Sequence, residues 1–244
     1  MNHAAKKGFT IIELMLAMSF IAVLLLGIAM TVIQIGTIYR KGLSLKEVNQ
    51  VSRDISADFR KSLSSVEAIT LATDYRTTSA GGRICLGNYT YIWNNGKALQ
   101  TPATGNPTDS NLVWYGTETN TSHTREVHLV KVPDAAKLYC SVNALGALTY
   151  KNVRSADVAQ TQELVSAGDY KMNINKITLS TTSSAYDSTT NERLYTFEYV
   201  LGSGENATMA TDQLSCLNAG QAGADTGYCN VKQFSLVIRA GNRV

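Results

Sequence analysis

The sequence predicts an α+β protein, in which a long N-terminal helix, transmembrane in its first half and amphipathic in its second, packs on an antiparallel β-rich head. Three observations predict it. Residues 9–39 are almost unbroken apolar sequence. Apolar residues from 45 to 66 recur mainly at three- and four-residue intervals. Beyond about residue 70 the pattern changes to short β-like runs separated by turn residues.

The apolar segment, FTIIELMLAMSFIAVLLLGIAMTVIQIGTIY, carries no charge from Leu14 to Ile33. As a helix it would be about 46 Å long, more than the roughly 30 Å of hydrocarbon in a bilayer, so part of it should emerge as a stalk. An ordinary secretory signal ends in a small-residue cleavage site after its apolar region, and none precedes Arg40, so the segment should be retained. Lys6 and Lys7 flank its start and Arg40, Lys41 and Lys46 its end, so the balance of positive charge decides little about orientation. A long C-terminal domain carrying four cysteines fits the oxidising exterior.

Two features stand at the start of this segment: a basic octapeptide, MNHAAKKG, and a lone carboxylate, Glu13. An unpaired carboxylate within a membrane helix costs about 2.5 to 3.5 kcal/mol on insertion scales and needs a partner. The plainer alternative is an uncleaved signal anchor, with Glu13 reaching back to the headgroups.

KKG followed by FTIIEL resembles the cleavage and methylation motif of type IV prepilins and type II secretion pseudopilins, and the resemblance covers roughly the first forty residues. It implies a leader over 1–8, a transmembrane helix over 9–39, an amphipathic stalk over 40–69 and an exported head over 70–244. It also implies that a prepilin peptidase cuts between Gly8 and Phe9 and methylates the new amine. That amine would neutralise Glu13 of a neighbouring subunit and set the register of assembly. The implied partners are the peptidase, other pilin or pseudopilin subunits, an inner-membrane assembly platform and membrane lipid. The implied location is the cytoplasmic (inner) membrane, then a pilus or the cell surface. Many major pilins carry a helix-breaking proline in this segment; this chain has none near Gly27. An amphipathic helix followed by an elongated β-rich head is similar to minor pilins and minor pseudopilins.

In the stalk, Leu45, Val48, Ile55, Phe59, Leu63 and Val66 form an apolar stripe, with Arg53, Asp54, Asp58, Arg60 and Lys61 between them. The stripe should pack against a sheet. In the head, RICLGNYTYIW, NLVWYG, REVHLVKV and KLYCSV read as strands, with Asn94-Asn95-Gly96 as a hairpin turn. KITLSTT, RLYTFEYVLG and QFSLVIRAG are the best strand candidates, and residues 101–111 read as an exposed loop.

Cys85, Cys140, Cys216 and Cys229 form no CxxC metal or redox motif, and four cysteines allow three pairings. The spacing favours Cys216 with Cys229, which bracket a Gly-rich loop, and Cys85 with Cys140, each of which ends a strand-like run. The alternative is four buried thiols. The short disulfide loop would contribute about 3 kcal/mol.

The sequence offers little catalytic chemistry. The net charge is +3, and without Lys6 and Lys7 the balance is 20 basic to 19 acidic residues, which gives no polyanion signal. Residues 202–207, GSGENA, match GxGxxA after a strand, but no βαβ unit can follow them, and a hairpin turn is the better reading. His123 and His128 stand at odd spacing, so on a strand they point to opposite faces and cannot share a metal ion. There is no GxSxG elbow. No cofactor, metal or enzyme activity is therefore expected, and the function expected is structural. A tip pilin that binds DNA or surfaces is the alternative, with Lys151, Arg154, Lys171, Lys176, Arg239 and Arg243 as scattered cations and Tyr89, Tyr91, Trp93, Trp114 and Tyr115 as stacking candidates. A signal-anchored surface enzyme ranks below both.

Overall fold

The computed structural model describes residues 10–99, 112–116, 127–165, 170–187, 192–204, 208–210, 212–225 and 227–241. One helix, α1, runs from Ile11 to Ser64 without a break. The segments that the sequence reads as transmembrane and stalk are thus a single element, and with no proline in it the helix continues through Gly27, Gly36 and Gly42. It ends five residues before the expected boundary at 69. There the hydroxyls of Ser64 and Ser65 donate to Lys61 O at 3.2 Å and Ser62 O at 2.9 Å, taking up the last carbonyls.

The head contains two antiparallel sheets. The first has five strands in sequence order: β1 (Tyr75–Thr77), β2 (Gly81–Leu86), β3 (Tyr89–Asn94), β4 (Leu129–Pro133) and β5 (Gln162–Val165). The second is β6 (Asn173–Asp187), β7 (Glu192–Ser203) and β8 (Asn230–Ala240), also in sequence order. The α+β architecture is therefore a long N-terminal helix followed by antiparallel sheets.

Strands β2 and β3 form a hairpin closed by Gly87 and Asn88, with Leu86 opposite Tyr89. Gly87 has φ +57°, a left-handed conformation that a residue with a Cβ adopts at a cost. Asn94-Asn95-Gly96 does not form the expected hairpin. It leads from β3 into one helical turn at Gly96–Leu99, and the side chain of Asn94 is taken by Val113 O and Val127 O at 2.8 Å each. KLYCSV is likewise not a strand, because buried Asp134 turns the chain by accepting the backbone N–H groups of Leu138 at 2.7 Å and Tyr139 at 3.1 Å.

The main core lies between α1 and both sheets. Ile55, Phe59 and Leu63 of the helix meet Ile84, Tyr91 and Trp93 of the first sheet and Tyr195, Phe197, Tyr199 and Leu201 of β7. On β7 these four follow the period of two that puts alternate residues on one face. The rings of Phe59 and Phe197 stack with centroids 3.7 Å apart. A second core, with Ile92, Val130, Val132, Tyr139 and Val153, covers the other face of the first sheet. β3 is thus buried on both faces, which is why TYIW shows no alternation.

Candidate functional site

The apolar N-terminal half of α1 projects from the head. Every side chain from Ile11 to Ile35 is exposed, and the helix is long and apolar enough to cross a membrane. Burial becomes continuous only in the other half, at Ser44, Val48, Ser52, Ile55, Phe59, Ser62 and Leu63.

The first turn holds Glu13 in a capping box with Thr10. Thr10 donates to Glu13 Oε2 from its backbone N at 3.0 Å and its Oγ1 at 2.9 Å, while Glu13 N donates to Thr10 Oγ1 at 3.4 Å. The carboxylate is exposed and satisfied by its own helix end, and among the described residues it meets no cation. Lys6, Lys7, Gly8 and Phe9 lie outside the described residues.

The head first touches α1 at Gly36 and Thr37, which are half-buried. The segment that reaches them is the loop closed by the Cys216–Cys229 disulfide. Asp225 shapes this loop by accepting the N–H groups of Gly227 at 2.8 Å and Tyr228 at 3.0 Å. Arg40 donates to the Tyr228 hydroxyl at 3.2 Å, and its guanidinium lies 5.6 Å from the ring centroid. One turn further on, buried Ser44 meets Ser203 Oγ at 2.8 Å, donates to Tyr228 O at 3.2 Å and accepts from Asn230 Nδ2 at 2.8 Å. This cluster joins helix, disulfide loop and the β7–β8 end.

Polar clamps continue along the stalk. Tyr199 OH lies 2.8 Å from the hydroxyls of both Ser52 and Ser56. Tyr91 OH donates to Asp58 Oδ2 at 2.5 Å and has the Ser62 hydroxyl 2.8 Å from its oxygen, while Lys131 Nζ donates to Asp58 Oδ1 at 2.9 Å. Burial, and secondarily the bond to the Asp58 carboxylate, raise Tyr91 well above the usual phenol range. These serines escaped the apolar stripe read from sequence, because hydroxyls opposite tyrosines have no hydrophobic period. Leu45, assigned to the stripe, is exposed.

The second disulfide joins Cys85 to Cys140 across 55 residues, and among the described residues no cysteine is free. It ties the second core to β2 beside buried Arg83, whose guanidinium donates to Tyr139 O at 2.8 Å, Tyr150 O at 2.7 Å and Lys151 O at 3.1 Å. Tyr139 and Arg154 converge on Asp157, and burial, followed by the Asp157 bond, pushes Tyr139 up to about 12.

The other sequence candidates disperse. His128 is buried with Nδ1 2.9 Å from Asn173 Oδ1, His123 lies outside the described residues, and no group of metal-ligating side chains gathers among the described residues. Gly202 and Ser203 end β7, Gly204 turns away at φ +106°, and 205–207 lie outside the described residues, as does the loop 101–111. Tyr91, Trp93, Trp114 and Tyr115 are buried, which leaves Tyr89 as the exposed ring among the five stacking candidates. Among the scattered cations, Arg154 pairs with Asp157 and Arg239 with Glu192, and Arg243 lies outside the described residues.

The chain matches no family model, no curated protein and no solved structure. Its shape, an exposed apolar N-terminal helix running into a disulfide-bonded β-rich head, is compatible with a pilin fold.

Proposed function

We propose that this chain is a structural subunit of a type IV pilus or type II secretion-like filament, of the minor pilin or pseudopilin kind, whose mechanism is assembly and not catalysis. The observation that carries the reading is the form of α1: an apolar, exposed half with Glu13 in its first turn continues without a break into a half clamped to the head. An apolar surface of that length is stable only in lipid or against other apolar helices. The KKG–FTIIEL motif supports processing between Gly8 and Phe9 on the cytoplasmic side, with the head exported. In a staggered bundle the new amine at Phe9 would pair with Glu13 of a neighbour, replacing the capping contacts by a charge-assisted bond. The partners of this reading are the peptidase, like subunits, the assembly platform and lipid.

Intact-mass and N-terminal peptide analysis of membrane-extracted protein, from cells with and without prepilin peptidase, tests it. Phe9 as the peptidase-dependent N-terminus is the expected result. A Met1 start in both strains would sink the reading and leave a signal-anchored surface protein.

A further inference from the structure

A groove of about 740 Å³ runs along the solvent side of α1 from Asn49 to Ser64, with Phe234 of β8 as its other wall. Three cations line it, Arg53, Arg60 and Lys61, and no Asp or Glu does. None of the three forms an ion pair among the described residues, whereas Asp58 on the same helix is engaged by Lys131 and Tyr91. Lys232 of β8 adds a fourth positive charge at the rim, where it donates to Asn49 Oδ1 at 2.8 Å and lies 5.3 Å from the Phe234 ring centroid.

The groove also borders a free strand edge. β8 is the outermost strand of its sheet and is 11 residues long. Its backbone groups facing away from β7 have no partner among the described residues until Gly241, whose N–H donates to Val66 O at 2.8 Å. Such an edge is a template for another strand. A second copy of the same edge is a poor occupant, because it would bring a second set of the same cations, Arg53, Arg60, Lys61 and Lys232, up to the first.

We infer that the groove and the β8 edge together form a docking site for an extended acidic segment of a partner protein, added as a fourth strand beside β8. An added strand would lie about 4.8 Å from β8, with alternate side chains over the groove. Arg53 and Arg60 are two helical turns apart, about 10 Å, a distance that carboxylates two to four residues apart on a strand bracket. A nucleic acid fits less well, since Phe234 is the one ring in the groove and a phosphate backbone cannot use the free N–H groups of β8. The site lies where the C-terminal half of α1 meets β8 and is independent of how the N-terminus is processed.

The test uses the full chain in zwitterionic nanodiscs and a fluorescent, end-capped octapeptide that alternates Glu with Val or Thr. Its Lys counterpart and a DNA duplex serve as comparison probes. The expected result is binding of the Glu peptide with Kd below about 1 mM, none of the Lys peptide, and at least tenfold weakening by the exposed-site double variant Arg53→Glu, Arg60→Glu. N-methylation of the alternate amides along one edge of the peptide should abolish binding, and along the other edge should leave it intact. Absence of Glu-peptide binding, indifference to N-methylation of either edge, or preferential binding of the DNA duplex would each overturn the proposal.

Discussion

Tyr199 on β7 and Ser52 on α1 bond twice: the phenol donates to Ser52 O at 2.8 Å, and the Ser52 hydroxyl lies 2.8 Å from the same phenol oxygen. The tyrosine is 1% exposed and Ser52 3%. A hydroxyl on the helix and a phenol on the sheet thus join the stalk to the second sheet where the sequence shows no apolar pair.

Tyr199→Phe keeps the ring packing and takes the phenol partner from the buried Ser52 hydroxyl, while half-buried Ser56 keeps access to the groove beside it. The expected loss is about 1 to 3 kcal/mol of unfolding free energy, read by denaturant titration of the full chain in micelles. An unchanged midpoint would show that the helix–sheet joint does not depend on this clamp.

Phe59→Ala empties the centre of the main core, where the ring is 1% exposed and stacked on Phe197. It should cost about 3 to 5 kcal/mol. Leu45→Ala, on an exposed residue that the apolar stripe would place inside, should change stability by less than about 0.5 kcal/mol. The two midpoints measured side by side test the observed helix face directly.

The two disulfides should separate by location. Replacing Cys216 and Cys229 with Ser should remove about 3 kcal/mol by the loop-entropy estimate and raise hydrogen exchange at Gly36–Ser44, where the loop grips the helix. Replacing Cys85 and Cys140, which close a loop of 55 residues, should remove about 4 kcal/mol and leave exchange at Gly36–Ser44 unchanged.

Titration should destabilise the head at both ends of the pH scale. Burial raises Tyr91, Tyr139, Tyr195 and Tyr199 above the ordinary phenol value, so the folded state holds these protons more tightly. Their contribution is complete below pH ~10 and is lost as pH rises through the folded values. For Asp157 burial pushes upward, but hydrogen bonds from Arg154 and Tyr139 outweigh it and the net shift is downward. Its contribution is present above pH ~4 and fades as pH falls through the lowered folded value. Tm measured from pH 2 to 12 should fall at both ends, and Asp157→Asn should flatten the acid limb.

Under the proposed filament role, Glu13→Leu should reduce incorporation into filaments, while easing membrane insertion by less than the roughly 2.5 to 3.5 kcal/mol of a charge at mid-helix, because Glu13 sits in the first turn. Fractionation of cells into membrane and sheared surface material distinguishes these outcomes. Equal incorporation of the variant would remove any role for the carboxylate in register.

The sequence by itself determined the N-terminal half of this protein and the class of the rest. An apolar run without charge from Leu14 to Ile33 has one stable backbone in lipid, and no residue from Ile11 to Ser64 is a proline that could break the helix. β6, β7 and β8 were legible because period-two alternation survives where one face of a strand meets water, as at Thr196 and Glu198 of β7 and Gln233 and Ser235 of β8. Tertiary structure alone decided the division into two sheets, since β3 is covered on both faces and its sequence carries no sidedness. It also decided that Asp134 turns the chain where KLYCSV resembles a strand, that Arg83 is buried on three carbonyls, and that Ser44, Ser52 and Ser62 face inward. Each of those positions depends on hydrogen bonds to residues distant in the chain, and a local pattern of apolar and polar residues cannot encode such partners.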